Sequence, residues 1–193
     1  VIDSNQRRNI VVPVNRCFDT HVDNHIVSAQ TVHGATFSSL YASGKYTEEF
    51  LSMAIGKLLE NTNYKSLSEE EKPEGNRKRY PVGTVVDLPG YGTEHFFLWA
   101  LSTFDNKLKA HTSMQEYALA VQKLIESCNE ESEGFPVVLP LVGTGLSRTK
   151  KDQQDVLKYL INAFRINKAE INCDIHIVVR NDIKNEIAIM NIK

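Results

Sequence analysis

Short runs rich in β-branched and aromatic residues alternate along the chain with stretches of helical spacing. Residues 9–14 (NIVVPV) and 83–88 (GTVVDL) are β-branched, and residues 95–104 (HFFLWALSTF) and 136–142 (PVVLPLV) are nearly continuous apolar runs. Residues 174–180 (DIHIVVR) alternate, and residues 186–192 (EIAIMNI) read as a late, half-buried strand. Runs that are apolar on both faces predict central strands covered on two sides, the habit of α/β sheets. Between them, Phe50, Ala54 and Leu58 fall at i, i+4 and i+8, widened by Ile55 and Leu59, with Glu48 and Glu49 at the positive end of the helix dipole. Ser113 and Glu116 form the S-x-x-E capping pattern of a second helix, whose core face is Met114, Tyr117, Val121 and Leu124. A third helix starts near residue 152 and turns Val156, Leu157, Leu160, Ile161 and Phe164 inward. This alternation predicts a wound sheet with helices on both faces. With no internal repeat and no clear linker, a single domain is expected over residues 1–193. Residues 65–79 (KSLSEEEKPEGNRKR), an acidic block followed by a basic one, read as a solvated surface loop.

Composition narrows the class. The 193 residues are 41% hydrophobic and 24% charged, enough to bury one core and unlike disordered or collagenous chains. Twenty-two Lys+Arg against 24 Asp+Glu give a net charge of -2, so no nucleic-acid partner is expected. Cys17, Cys128 and Cys173 are odd in number and far apart, with no CxxC or HExxH, so neither a metal nor a disulfide framework is expected. Reduced, mostly buried thiols fit a cytoplasmic setting. The apolar runs fall far short of the roughly 20 residues that span a bilayer. The first residues, VIDSNQRR, have neither an initiator Met nor a signal profile and read as a cut edge, with a further segment expected upstream.

Two loops could carry chemistry. Residues 136–142 lead into Gly143, Thr144, Gly145, Leu146, Ser147 and Arg148, and then into the third helix. Glycines allow close backbone approach, and exposed N–H groups at a helix start attract anions. Thr144 and Ser147 add hydroxyls, and Arg148 adds a planar cation suited to phosphate. The loop is neither a Walker A sequence nor GxGxxG, and a ligand-free tight turn remains the other reading. The second loop follows residues 9–14, where Asn15, Asp19, Thr20 and Asp23 leave the carboxyl end of a buried strand. These residue types suit ribose hydroxyls or simply their own turn. His33 and Gly34 form a further candidate contact. No catalytic triad is legible, and nothing in the residues demands an enzyme or a bound cofactor.

Both loops with their strands, IVVPVN ending at Asn15 and PLVGTGLSR, resemble those of macro domains. The stretches VNRCFDTHVD, TVHG, RYPVGTVVDL, FFLWALSTFDNKLKAHTS and LPLVGTGLSR resemble most closely the macro, ligand-sensing domain of ThsA-type effectors of bacterial Thoeris antiphage defence. The resemblance implies a three-layer α/β/α sandwich with a mostly parallel, mixed central sheet. It implies ADP-ribose or an ADP-ribose conjugate as ligand, with the pyrophosphate between residues 143–148 and the first loop. The proximal ribose would approach Asn15 through Asp23 and His33-Gly34, and Asn181 would lie near adenine. It further implies a small-molecule nucleotide signal made from NAD by a TIR-domain enzyme, a histidine conjugate among the candidates. A homo-oligomeric effector tethered to a membrane in its full-length form is also implied. Macro-type hydrolases carry a glycine run after the asparagine. Here RCFDTHVD stands in its place, so a non-catalytic sensor is expected and an ADP-ribosyl hydrolase is the alternative.

Overall fold

A computed structural model describes residues 6–142 and 153–180. In chain order its elements are β1 (Arg8–Asn15), α1 (Val32–Ala42), α2 (Glu48–Leu58), β2 (Lys65–Ser66), β3 (Lys78–Arg79), β4 (Val85–Pro89), β5 (Glu94–Phe104), β6 (Ala110–His111), α3 (Met114–Glu131), β7 (Val137–Pro140), α4 (Gln153–Ile166) and β8 (Ile175–Val178). The main sheet runs β4-β5-β1-β7-β8, with β6 hydrogen-bonded to the end of β5. β5, β1, β7 and β8 are mutually parallel, and β4 is an antiparallel edge. The expected mostly parallel, mixed sheet is thus observed. The strand predicted at 186–192 lies outside the described residues.

Two cores explain the strand composition. On one face Val11, Phe97, Trp99 and Val137 pack against Tyr117, Val121 and Leu124 of α3 and Val156, Leu160 and Phe164 of α4. On the other, Val12, Val14, Phe96 and Leu98 pack against Phe37 and Leu40 of α1 and Leu51 and Ile55 of α2. Side chains alternate between faces along a strand, so a strand covered on both sides must be apolar at consecutive positions. The buried indole Nε1 of Trp99 donates to the Ala120 carbonyl at 3.0 Å, so its polar atom is satisfied inside the core.

Helix α3 forms as its capping pattern predicts. The Ser113 side chain accepts from the Glu116 N–H, and the Glu116 carboxylate accepts from the Ser113 N–H. Helix α2 forms where predicted but is turned about its axis. Its inward stripe is Leu51, Ile55 and Leu59, whereas Phe50 and Leu58 are 55% and 53% exposed. Both stripes satisfy the i, i+4, i+8 rule, and only the sheet decides which one is buried. Helix α1 was not expected as an element. Thr31 caps it by accepting from the Gly34 N–H at 3.0 Å.

Residues 65–79 are not simply a solvated loop. β2 and β3 pair antiparallel at its ends, and Lys72 between them is completely buried.

Candidate ligand-binding site

Parallel β1, β5 and β7 end on the same side of the sheet, and the first loop leaves β1 there. The register slips between Val14 and Asn15, a bulge that re-aims the last side chain of the strand. Asn15 is buried at 4% exposure. Its Oδ1 accepts from the Cys17 N–H at 3.0 Å and the Asp19 N–H at 3.4 Å, which fixes the orientation of the amide. Its Nδ2 is buried with no partner. Phe18 closes the turn with a φ of 50°, a strained value for a bulky side chain that persists only where surrounding contacts impose it.

His33 lies in the first turn of α1, fully buried, with its ring edge-on to Phe37. Burial drives its pKa down to about 4, and a hydrogen bond to the Asp19 backbone works the other way. The ring is therefore neutral at physiological pH. Its Nε2 is buried without a partner. Asn15 Nδ2 and His33 Nε2 are thus two buried polar atoms without a hydrogen-bond partner. Leaving such atoms buried and unpaired costs about 1–3 kcal/mol each.

Asp19 is buried, and both its carboxylate oxygens are engaged. Lys72 Nζ lies 3.0 Å from Oδ1 and 2.9 Å from Oδ2, and the Asn76 N–H donates to Oδ1 at 2.6 Å. Burial pushes its pKa up, while the Lys72 ammonium, the Asn76 N–H and the nearby Asn15 side chain oppose that. Thr20 is buried, and its carbonyl accepts from the Tyr41 hydroxyl at 2.6 Å. Asp23 is exposed. Its Oδ1 accepts from the His25 and Ile26 N–H groups, both at 2.8 Å, which is turn chemistry. Gly34 packs so tightly that a Cβ there would lie 2.2 Å from the Ser28 carbonyl oxygen. Burial raises the Cys17 thiol to about 11, so it is no nucleophile at neutral pH.

An open cavity of about 490 Å³ lies beside the loop, lined by Asp19, Thr20, His21, Glu48, Glu49, Ser52, Met53, Gly75 and Asn76. On the β7 side, the Leu141 N–H donates to the Val178 carbonyl at 2.8 Å and the Tyr117 hydroxyl to the Val142 carbonyl at 3.0 Å. These bonds hold the chain just before the glycine loop. Gly143, Thr144, Gly145, Leu146, Ser147, Arg148 and Asn181 lie outside the described residues. The structure thus brings Asn15, Asp19, Thr20 and His33 together, with Gly34 packed against Ser28 and Ala29 and Asp23 in the exposed turn beyond. Lys72 and Asn76 are missing from the sequence-based candidates, because a lysine within an acidic run carries no mark of burial. Among the described residues no group of His, Cys, Asp and Glu could hold a metal ion.

A mostly parallel sheet between two helical layers, with an asparagine-ended strand opening the binding edge, defines the macro-domain class. The macrodomain of Mycobacterium tuberculosis DarG has a similar fold, with a TM-score of 0.50 over 91% of both chains and 15% identity. Residues 4–180 match the family model described as Thoeris protein ThsA, Macro domain, and the chain belongs to that family. It is 26% identical over 166 residues, 83% of its length, to the Thoeris protein ThsA of Bacillus amyloliquefaciens (strain Y2). The chain spans about half of that relative, 52% of its length.

Proposed function

We propose that this domain binds ADP-ribose or an ADP-ribose conjugate without turning it over. The observation that carries this reading is the pair of unpaired buried atoms, Asn15 Nδ2 at the end of β1 and His33 Nε2 in the first turn of α1. A ribose hydroxyl both donates and accepts, so it suits an amide N–H and an imidazole nitrogen alike. Membership of the ThsA macro-domain family supports an ADP-ribose-related ligand. The pyrophosphate is assigned to Gly143, Thr144, Gly145, Leu146, Ser147 and Arg148, since the cations beside the first loop are engaged: Arg16 with Glu116 at 3.1 Å and Lys72 with Asp19. Asp19 and Asp23 are the carboxylates a hydrolase would use on a water. The first has both oxygens occupied and the second is held in a turn, which favours binding over hydrolysis. In the full-length protein the domain would sense a nucleotide signal made from NAD by a TIR-domain enzyme, and pass occupancy to a membrane-tethered homo-oligomer. Such a signal acts only if it binds the active arrangement more tightly than the inactive one.

Asn15→Asp tests the site with little change of shape. It keeps the oxygen that accepts from Cys17 and Asp19 but replaces the unpaired donor with an acceptor. Calorimetric affinity for ADP-ribose is expected to fall 10- to 100-fold, about 1.4–2.7 kcal/mol, with the circular dichroism spectrum unchanged. Wild-type affinity in Asn15→Asp would remove Asn15 from the site.

A further inference from the structure

We infer that Lys72, carried on the segment between β2 and β3, is a positioning residue for the ligand site, acting through Asp19 on Asn15. This rests on the ligand reading above for its affinity arm, while its loop arm stands without any ligand. Lys72 belongs to neither loop of the proposed pocket. Its ammonium is nevertheless buried, and four acceptors share its three hydrogens: Asp19 Oδ1 and Oδ2 at 3.0 and 2.9 Å, and the Glu74 and Asn76 carbonyls, both at 2.8 Å. The two carbonyls curl the segment around the cation, and the carboxylate fastens it to the first loop.

Further bonds run the same way. The Asn76 N–H donates to Asp19 Oδ1, and Asn76 Nδ2 donates to the Cys17 and Phe18 carbonyls at 3.3 and 3.1 Å. The Arg77 guanidinium closes the back of the curl by donating to the Lys72 and Pro73 carbonyls. Gly75 has a φ of 76°, and a Cβ there would lie 2.2 Å from Asp19 Oδ1 and 2.7 Å from Lys72 Nζ, so only glycine lets the segment come this close. The loop it grips contains the strained Phe18 and ends in the Asp19 N–H that holds Asn15 Oδ1. The relay is therefore short. Lys72 keeps an ionised Asp19 inside, the Asp19 N–H holds the Asn15 amide oxygen, and the Nδ2 of that amide is left without a partner. A buried carboxylate deprived of its cation must take up a proton or leave the interior.

Other titratable groups near the pair are few. Cys17 and His33 lie against it from the loop and α1, and from β5 the ring of Phe104 stands 5.8 Å from Nζ. At the surface His21 pairs with Glu48 at 2.8 Å, and His25 with Glu74 at 3.4 Å. Affinities are compared with wild type at the same pH.

The test measures ADP-ribose affinity of Lys72→Met from pH 5.5 to 8.5, together with amide exchange at Cys17 and Asp19. Asp19 is expected to be protonated and in place at the low end, with affinity within about threefold of wild type. At the high end it must ionise unpaired, and affinity is expected to be at least about tenfold weaker than wild type, with the two amides exchanging at least about tenfold faster. Adding Asp19→Asn to Lys72→Met removes the titrating group and is expected to abolish the slope. A Lys72→Met ratio that is flat with pH, whether weakened or not, overturns the inference, and so does a slope that survives in the double variant. If wild type binds no ADP-ribose, the ligand reading fails. The exchange arm then decides alone: faster exchange confined to high pH upholds the role of Lys72, and unchanged exchange overturns it. Should Lys72→Met not fold at high pH, Gly75→Ala replaces it by pushing the segment off Asp19 without stranding a charge. At least about tenfold weaker binding or tenfold faster exchange is then expected, and wild-type behaviour in both overturns the inference.

Discussion

A buried imidazole with a free ring nitrogen is costly, and His33 makes that cost measurable. Its pKa is held near 4 by burial, against an ordinary value of 6.5. Between those values the unfolded chain binds a proton that the folded chain refuses, so stability rises with pH across that window. The contribution of neutral His33 is complete above about 6.5 and is lost as pH falls toward 4. Denaturant unfolding at pH 7.5 and pH 4 is expected to show wild type losing about 3 kcal/mol more than His33→Phe. Equal losses would mean that His33 is not buried neutral. At this scale Asn15 was legible as a candidate, with a ribose contact and a turn as its two readings, because the same amide serves both. Lys72 was not. It sits among glutamates in sequence, and its burial exists only because Asp19, 53 positions away in the chain, supplies a counter-charge.

Elements were legible wherever a local rule was decisive. The capping box fixed the start of α3, and consecutive apolar positions marked β1 and β5 as covered on both faces. Two limits have physical causes. Helix α1 begins at a Thr31 cap that no apolar stripe announces, and its mix of His, Gly, Ser and aromatic residues has almost no helical periodicity of its own. Helix α2 offers two competing stripes, and the sheet chose Leu51-Ile55-Leu59 over Phe50-Ala54-Leu58. The consequence is quantitative. Leu51→Ala should cost about 2–5 kcal/mol as a core cavity, whereas Leu58→Ala should stay within about 0.5 kcal/mol. Comparable costs in denaturant titrations would mean that α2 is oriented otherwise. The exposed Phe50, Met53 and Leu58 are then surface residues of α2 rather than core.

On the scale of the whole molecule, one topological fact builds the site: β1, β5 and β7 run parallel, so their carboxyl ends share an edge. The sequence already paired the loops after β1 and β7 as candidates, since ligands of α/β sheets sit beyond strand ends. It could not reveal the third contributor, the segment between β2 and β3, because polar insertions look alike until a partner buries them. The central claim is that this edge holds an ADP-ribose nucleotide and leaves it whole. It is tested most directly by titrating the protein with ADP-ribose and with its amino-acid conjugates, then releasing the bound ligand and weighing it by mass spectrometry. Saturable binding with the ligand recovered at its original mass is the predicted result. Recovery of a conjugate as free ADP-ribose, or no binding of any of these nucleotides, would contradict it.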